Sequence, residues 1–323
     1  MTPVIAQNAH PLPKLYGPYG SAAIAYADQF PAYGVNAAWF HMFDESAFHA
    51  CARAGIAACV EFKVFRADFA QHPDLIPIGV DGKPIRYGRL VQGVCLSQKW
   101  FLDYTEENLL AGVRSFQPAG IWLDYLTGAG WFEEAEPDLQ EHCFCADCIA
   151  DFCETTGIDA TTPAEILASH RSAWTRYKCE RVAGYGAHYA RIIRQHLSGC
   201  IIGAYMCPWT PAEFDGALTR IFAQDYGLLA PSIDIFTPLI YAQKSGRAPA
   251  WAREVLEAAP AFVPPNRPVQ LILDALDFPA SLQTTVASSV PSHGLQMFSG
   301  AEIFRDPAKA ALFAAALEAL RRA

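Results

Sequence analysis

Residues 120–148 read GIWLDYLTGAGWFEEAEPDLQEHCFCADC, and this stretch decides the fold of the chain. Residues 121–126 are an apolar run that only Asp124 interrupts, with Gly120 before it and Thr127 and Gly128 after it. Such a run predicts a parallel strand that is buried on both faces. An Asp is costly there unless it is paired or functional, and catalytic carboxylates lie at the carboxyl ends of barrel strands. Asp124 is therefore predicted to be functional, and the alternative is an Asp that fixes the following loop by hydrogen bonds.

Seven other strand-like runs alternate with helical patterns along the chain. The eight runs are residues 34–43, 58–65, 89–94, 121–126, 200–206, 233–241, 269–277 and 294–298. Helical signals between them include Asp44 before a helix that Gly55 ends, and Thr162 with Glu165 at the spacing of a capping box. Helical periodicity then continues to about Leu197, and other helices are predicted over residues 99–116, 212–224, 251–258 and 307–321. This alternation predicts one α/β domain over residues 1–323, a single (β/α)8 TIM barrel that begins at about Leu15.

Composition and charge exclude several classes of protein. The formal net charge is −9 and the pI is near 5.5, and no basic cluster is present, which argues against a nucleic-acid partner. No apolar run approaches the ~18–20 residues of a membrane span, and the first residues lack the pattern of a secretory signal. Ten scattered cysteines suit a reducing compartment. We therefore expect a cytoplasmic protein with no membrane partner.

Carboxylates at several strand ends are candidates for chemistry at one barrel mouth. Residues 58–65 alternate so that Glu61 and Lys63 share the face opposite the apolar side chains, where a buried ion pair is the alternative to a functional role. The seventh strand carries Asp274, and Asp277 just beyond it competes as a loop cap. A pair of carboxylates across such a mouth is what glycosidic bond hydrolysis requires. We predict Asp124 as one member, and Asp274 or Glu61 as the other.

Aromatic and polar side chains near the same strand ends are candidates for sugar binding, because aromatic rings match the apolar CH faces of sugars. Ordinary packing is the alternative for each of them, and for His41 a satisfied core histidine. The predicted substrate-binding residues are His41, Lys63, Tyr125, Trp131, Tyr205, Trp209, Tyr241 and Gln296.

Cys143, Cys145 and Cys148 form a C-x-C-x-x-C motif directly before a helical pattern. This spacing lets three thiolates converge on one tetrahedral ion, and the fourth ligand is not within the motif. His142 and Cys153 are close in sequence, but Cys95 is the better candidate because it follows the predicted strand 89–94, expected beside that of Asp124. The alternative is a set of reduced cysteines that pack a loop.

The segment from about Gly93 to Phe152 resembles the catalytic barrel of glycoside hydrolase family 42 β-galactosidases and of related glycosidase-like barrels. The resemblance rests on Cys95-Leu96-Ser97 opening a helix, on a strand ending in an acid, and on residues 143–148 before a helix. It implies a structural zinc held by Cys95, Cys143, Cys145 and Cys148, which staples the loop after the fourth strand. It implies a carbohydrate substrate, and it is compatible with assembly into a homo-oligomer.

Two departures separate the chain from that family. The family ends its fourth strand with Asn-Glu and has a nucleophilic Glu on the seventh strand, whereas this chain has Leu123-Asp124 and Asp274. β-Galactosidase activity is therefore not implied, and Asp124 can be either nucleophile or acid. A glycoside hydrolase is the main hypothesis. The alternatives are a carbohydrate-binding barrel that has lost one catalytic acid, and a metal-dependent enzyme using His41, for which no His-x-His or HExxH pattern is present.

Overall fold

The structure, a computed structural model, describes residues 12–88 and 90–322. Eight parallel strands form one sheet in the order β1-β8-β7-β6-β5-β4-β3-β2. The strands are β1 (Leu15–Pro18), β2 (Ala37–Phe40), β3 (Ala57–Lys63), β4 (Gly120–Asp124), β5 (Ile201–Met206), β6 (Ile235–Ile240), β7 (Leu271–Asp274) and β8 (Gly294–Phe298). The predicted single eight-stranded α/β barrel is thus confirmed.

The helices alternate with the strands. They are α1 (Glu45–Ala54), α2 (Lys99–Ser115), α3 (Ala146–Thr156), α4 (Pro163–Ser169), α5 (Arg171–His196), α6 (Ala217–Arg220), α7 (Tyr226–Leu229), α8 (Trp251–Ala258), α9 (Ala280–Val286), α10 (Ala301–Phe304) and α11 (Pro307–Arg322). The longest 3-10 segment is Ser21–Tyr33, between β1 and β2. None of the helices within residues 12–88 and 90–322 is both long enough and apolar enough to cross a bilayer.

The barrel is nearly closed where β1 meets β2. The two strands share no ladder, but Tyr19 and Trp39 form a parallel bridge directly beyond β1. The Gly20 N–H donates to the Trp39 carbonyl at 2.9 Å, and the Asn36 N–H donates to the Tyr16 carbonyl at 3.1 Å. These contacts bring all eight strands around one interior.

Two tryptophans fill the interior below the mouth. Trp39 and Trp122 are fully buried and meet edge to face with ring centroids 5.4 Å apart. The Trp122 Nε1–H donates to the Thr237 hydroxyl at 2.8 Å, which satisfies its polar atom. Glycine is required at position 203, because a Cβ there would lie 2.3 Å from Trp122 Nε1. The interior is therefore a packed core, and open space lies only above it.

The first strand of the barrel was missed from the sequence, and the predicted strand 89–94 is wrong. Leu15–Pro18 pairs in register with β8, and Gly17 lets it approach β2, since a Cβ there would meet the Ala37 carbonyl oxygen at 1.8 Å. Arg89 lies outside the described residues. Leu90 pairs only with Tyr87 in a tight turn, and Gly93 has φ +74, which ends any extended run. The predicted number of eight strands is still correct, because one strand was missed and one was predicted where none exists.

Helix boundaries follow the capping signals. The Asp44 carboxylate accepts from the Ala47 N–H at the start of α1, and Gly55 ends α1 in the left-handed region. The Thr162 hydroxyl accepts from the Glu165 N–H, as the capping box predicts. The long helix predicted to Leu197 is divided at His170, and the helix predicted over residues 212–224 is reduced to α6. Of the predicted domain 1–323, residues 1–11, 89 and 323 lie outside the described part.

Candidate active site

A cavity of about 250 Å³ opens at the carboxyl ends of the strands. Its polar lining comes from β3, β4 and β5 and from the segments after β1, β2, β4, β5 and β6, and aromatic rings form much of the remaining wall. The charged or ionisable lining residues are Tyr19, His41, Glu61, Lys63, Asp124, Tyr125, Glu133, Tyr205, Cys207, Tyr241 and Lys244. This is where a barrel of this kind binds small molecules.

Asp124 is the last residue of β4 and faces the cavity. Tyr125 follows it with φ 53, a left-handed conformation that is rare for an aromatic residue and that often marks functional sites. In this conformation the Tyr125 N–H lies beside the Asp124 carboxylate and favours its ionised form. Burial raises the pKa of Asp124, while hydrogen bonds from Glu61 and from the Tyr125 N–H oppose the rise.

Glu61 lies on β3 with only 3% of its surface exposed. Its carboxyl group is in hydrogen-bond contact with that of Asp124. Its Oε2 lies 2.8 Å from His41 Nδ1, and its Oε1 lies 3.5 Å from Lys63 Nζ. Burial, and then the neighbouring Asp124, hold the pKa of Glu61 well above its ordinary value.

His41 follows β2 at the rim of the cavity. Its Nδ1 also lies 2.8 Å from the Tyr19 hydroxyl, and the two rings pack edge to face. Burial, assisted by Lys63, lowers the pKa of His41, so the imidazole is neutral at neutral pH. Tyr19 was missed in the sequence because it follows the strand that was missed.

Asp274 ends β7, but it does not line the cavity. It is 1% exposed, its Oδ1 accepts from the Leu276 N–H at 3.0 Å, and its Oδ2 lies 2.8 Å from Lys244 Nζ. The competing Asp277 accepts from the N–H groups of Ala242 and Gln243, so it caps the loop after β6 and not the loop that follows its own strand.

Glu133, in the loop after β4, is a cavity acid that the sequence did not single out. Its side chain is 19% exposed, and its Oε2 lies 3.7 Å from Lys244 Nζ. Burial raises the pKa of Glu133, with Lys244 opposing the rise and Asp274 and Asp124 adding to it. Its sequence context, Trp131-Phe132-Glu133-Glu134, gives no signal that distinguishes it from the neighbouring Glu134.

Six of the eight predicted substrate-binding residues line the cavity, namely His41, Lys63, Tyr125, Trp131, Tyr205 and Tyr241. The other two are buried elsewhere. Trp209 packs against the rings of Phe214 and Phe222. Gln296 lies in the barrel interior, where its side-chain amide is 2.7 Å from the Tyr205 hydroxyl and 2.8 Å from the Gln270 amide. Gln296 therefore positions Tyr205 from below the cavity.

The four cysteines Cys95, Cys143, Cys145 and Cys148 converge, with all four Sγ atoms within 4.8 Å of one another. Cys95 Sγ lies 3.6 Å from Cys145 Sγ and 3.6 Å from Cys148 Sγ. Four thiolates about 2.3 Å from a tetrahedral zinc are about 3.8 Å apart, so these separations fit that ion. Within residues 12–88 and 90–322, no other set of three or more His, Cys, Asp or Glu side chains is grouped in this way.

Backbone N–H groups point at the sulfurs, as they do around bound thiolates. The Ile78 N–H donates to Cys143 Sγ at 3.2 Å, and the Cys148 N–H donates to Cys145 Sγ at 3.4 Å. The two alternative ligands are otherwise engaged: His142 Nε2 accepts from the Ala129 N–H, and Cys153 donates to the Ala160 carbonyl. The residues present thus fit a zinc ion.

Cys95 reaches the cluster from the irregular loop between β3 and α2, and the expected strand beside Asp124 does not exist there. The loop is fixed next to the cluster because the Cys95 N–H donates to the Leu75 carbonyl at 2.8 Å. Ser97 adds a contact of 3.1 Å between its hydroxyl and Cys148 Sγ. All ten cysteines of the chain are free thiols.

No family model and no curated protein sequence matches the chain. Solved structures do match it in fold. A β-galactosidase from Rahnella sp. R3 superposes with a TM-score of 0.65 and 11% identity, over 97% of this chain and 57% of that one. A family 42 β-galactosidase from G. stearothermophilus superposes with a TM-score of 0.60 and 13% identity, over 88% of this chain and 50% of that one. An endo-1,4-β-mannanase from Rhizomucor miehei superposes with a TM-score of 0.54 and 11% identity, over 98% of this chain and 97% of that one.

These likenesses confirm that the chain has the barrel fold of the family 42 β-galactosidases and of other glycoside hydrolases. The chain spans 50–57% of the length of the two β-galactosidases. At identities of 11–13% the comparison shows the fold alone, and function has to be argued from the site.

Proposed function

We propose that this protein hydrolyses the glycosidic bond of a small glycoside or oligosaccharide, with Asp124 and Glu133 as the two working carboxylates. The observation that carries the proposal is the cavity itself, where both acids lie among aromatic rings at the carboxyl ends of the strands. A pair of carboxylates flanking the bond, one as proton donor and one as nucleophile or base, is the usual requirement for this reaction.

Glu133 is preferred to the two partners that the sequence suggested. Glu61 is in hydrogen-bond contact with Asp124, so neither the ~5 Å of a retaining pair nor the ~6.5–9.5 Å of an inverting pair is available between them. Asp274 is buried and paired with Lys244. Glu133 remains as the cavity acid that can face Asp124 with a sugar between them.

The environments of the two acids support different roles. Glu133 has a raised pKa, which suits a general acid that gives its proton to the departing glycosidic oxygen. Burial raises the pKa of Asp124 as well, but Glu61 and the Tyr125 N–H oppose that rise and favour the ionised form. As a carboxylate it would attack the anomeric carbon, or remove a proton from the water that does so. In both cases the products are a free sugar and an alcohol.

The cavity supports a substrate of limited size. Its volume of about 250 Å³ lies below the ~300–1,000 Å³ of typical ligand pockets, so one sugar unit is expected to be held firmly. Trp131, Tyr125 and Tyr241 offer rings on which the CH face of that sugar would pack. His41 and Lys63 lie where hydroxyl groups would need polar partners.

The cysteine cluster would hold a structural zinc. Its four ligands join the loop before α2 to the segment between β4 and α3, which also carries Trp131 and Glu133. The ion would supply no chemistry to the reaction, since four thiolates complete its coordination. Free thiols throughout the chain support a reducing compartment, so the cytoplasm remains our proposed location.

A screen of aryl glycosides and oligosaccharides tests the function with three variants. Asp124→Asn and Glu133→Gln should each lower kcat by about 10²–10⁴ with little change in melting temperature. Glu134→Gln is the matched control, because Glu134 is the exposed neighbour of Glu133 and should keep wild-type activity. If Asp124→Asn or Glu133→Gln turns over substrate like the wild type, that assignment is wrong.

The rival function is a carbohydrate-binding barrel that has lost a catalytic acid. A sugar that binds in the mouth, while every glycoside in the screen stays intact, would favour this rival. Calorimetric titration with the same sugars measures this binding. Loss of binding in a variant with Trp131→Ala would locate the ligand in the cavity.

A further inference from the structure

Four side chains form a continuous row of hydrogen-bond contacts along one wall of the cavity. The Tyr19 hydroxyl lies 2.8 Å from His41 Nδ1, and His41 Nδ1 lies 2.8 Å from Glu61 Oε2. The carboxyl group of Glu61 then meets that of Asp124. The row begins at Tyr19, passes through His41, whose side chain is 40% exposed, and ends at the carboxylate proposed to react.

The last contact in the row requires a proton. Two carboxyl groups can share a hydrogen bond only if one of them is protonated, because two carboxylates in contact repel each other. The register of the sheet brings the two acids together: Glu61 is paired with Trp122 and Lys63 with Asp124, so both acids point into the barrel from neighbouring strands.

The surroundings place the proton on Glu61. Glu61 borders the cavity but is only 3% exposed, whereas Asp124 is partly exposed there and has the Tyr125 N–H beside it, which favours a carboxylate. Burial raises the pKa of Glu61 well above its ordinary value, in agreement with this assignment.

We propose that Glu61 is a positioning residue that keeps its proton at neutral pH and donates it in a hydrogen bond to Asp124. Asp124 is thereby held ionised, and in one orientation, inside a cavity that would otherwise favour its neutral form. The role in catalysis rests on the proposed function, but the protonation of Glu61 does not.

The other groups that face Glu61 do not remove its proton. The titratable side chains around it, from β2 through β6, are His41, Lys63, Asp124, Tyr125, Tyr205 and Tyr241. Burial raises the pKa of each of the three tyrosines, so they are neutral. Only Lys63 favours the ionised form of Glu61, and its Nζ lies 3.5 Å away, on the oxygen that does not contact His41.

The direct test is a pH titration of the carboxyl carbons by 13C NMR, with Asp and Glu labelled at the side-chain carboxyl group. Wild type, Glu61→Gln and Asp124→Asn are compared, so that each missing resonance assigns one residue. We expect the Glu61 carboxyl to show the chemical shift of the protonated acid at pH 7, and the Asp124 carboxyl that of a carboxylate. A Glu61 resonance that titrates near its ordinary value of about 4.3 would overturn the proposal.

Activity supplies the second readout. Gln at position 61 keeps an N–H donor for Asp124, so Glu61→Gln should retain kcat within about tenfold of wild type at neutral pH. Glu61→Leu removes the donor, and the acidic limb of its pH–rate profile should move to higher pH because Asp124 becomes harder to ionise. If Glu61→Gln is folded but as inactive as Asp124→Asn, Glu61 itself is catalytic and the positioning role is wrong. If wild type cleaves no glycoside, the proposed function fails, while the NMR titration still decides the state of Glu61.

Discussion

Lys244 Nζ lies 2.8 Å from Asp274 Oδ2 at the end of β7, and 3.7 Å from Glu133 Oε2 in the loop after β4. One ammonium group thus serves two acids that are far apart in sequence. It also lies over the rings of Tyr241 and Phe298, 4.6 Å and 4.8 Å from their centroids, which adds favourable cation–π contacts. Asp274 is the closer and better buried of the two acids, so Lys244 pairs mainly with it. Burial therefore still raises the pKa of Glu133, although Lys244 opposes the rise.

The first prediction concerns the pH at which activity is lost on the alkaline side. If Glu133 is the general acid, the rate falls as pH rises through its raised pKa, because the proton donor is then ionised. Lys244 lowers that pKa and Asp274 raises it. Lys244→Met should therefore move the alkaline limb of kcat/KM to higher pH, and Asp274→Asn should move it to lower pH.

Steady-state kinetics between about pH 5 and 10 checks these shifts. Arg253→Met, at an exposed position on α8, is the control for loss of one positive charge and should leave the limb in place. Shifts of the same sign in Lys244→Met and Asp274→Asn would contradict the assignment of Glu133.

The second prediction concerns the metal. Protein purified without added metal should contain about one zinc per chain by elemental analysis, and Cys95→Ser should lose most of it, with a lower melting temperature. Cys153→Ser is the matched control, since Cys153 lies on the same helix as Cys148 but outside the cluster. Zinc retained at the wild-type level in Cys95→Ser would show that Cys95 is not a ligand.

A third prediction concerns the buried ion cluster beside the cysteine loop. Glu141 is 3.3 Å from Lys178 Nζ and 3.0 Å from an Arg220 guanidinium nitrogen, with all three side chains largely buried. Glu141→Gln leaves Lys178 without its counter-ion and Arg220 with only the exposed Asp215, 3.8 Å away, so it should lower the free energy of unfolding by about 3–5 kcal/mol. Glu180→Gln, which breaks the exposed pair with Arg176, should cost less than about 1 kcal/mol. If urea unfolding gives equal losses of unfolding free energy for Glu141→Gln and Glu180→Gln, the buried cluster stabilises the fold no more than the exposed pair does.

The fourth prediction concerns stability against pH. The folded-state pKa of Glu61 is raised above its unfolded value, so folding binds a proton there and becomes less favourable as pH rises. Stability is full below about pH 4.3, the ordinary value for Glu, and is lost progressively up to the folded-state pKa. Relative to Glu61→Gln, wild type should therefore lose up to about 1.4 kcal/mol of unfolding free energy per pH unit above pH 4.3.

Urea unfolding curves of wild type and Glu61→Gln, collected from pH 4 to 9, measure this difference directly. The zinc cluster and the carboxylates distant from Glu61 are common to both proteins and cancel in the comparison. A difference that stays constant over the whole range would mean that Glu61 is ionised at an ordinary pKa in the folded protein.

The sequence by itself determined the features that depend on local pattern. Apolar runs of the right length gave seven of the eight strands, and capping signals placed α1 and α4. An acid inside an apolar run marked Asp124, because burying a carboxylate is costly anywhere. The spacing of Cys143, Cys145 and Cys148 predicted convergence on one ion, and the resemblance supplied Cys95.

Only the tertiary structure decided which residues share the cavity. β1 has a Gly and a Pro in four residues and becomes a strand through its pairing with β8, nearly 280 residues away, so Tyr19 was hidden as well. Glu133 and Lys244 enter from loops whose course is set by packing. Alternation along a strand says which face a residue takes, but not how deep it lies. Gln296 is therefore buried below the cavity and Asp274 is buried beside it against Lys244, while Asp124 reaches its surface and meets Glu61 from the neighbouring strand.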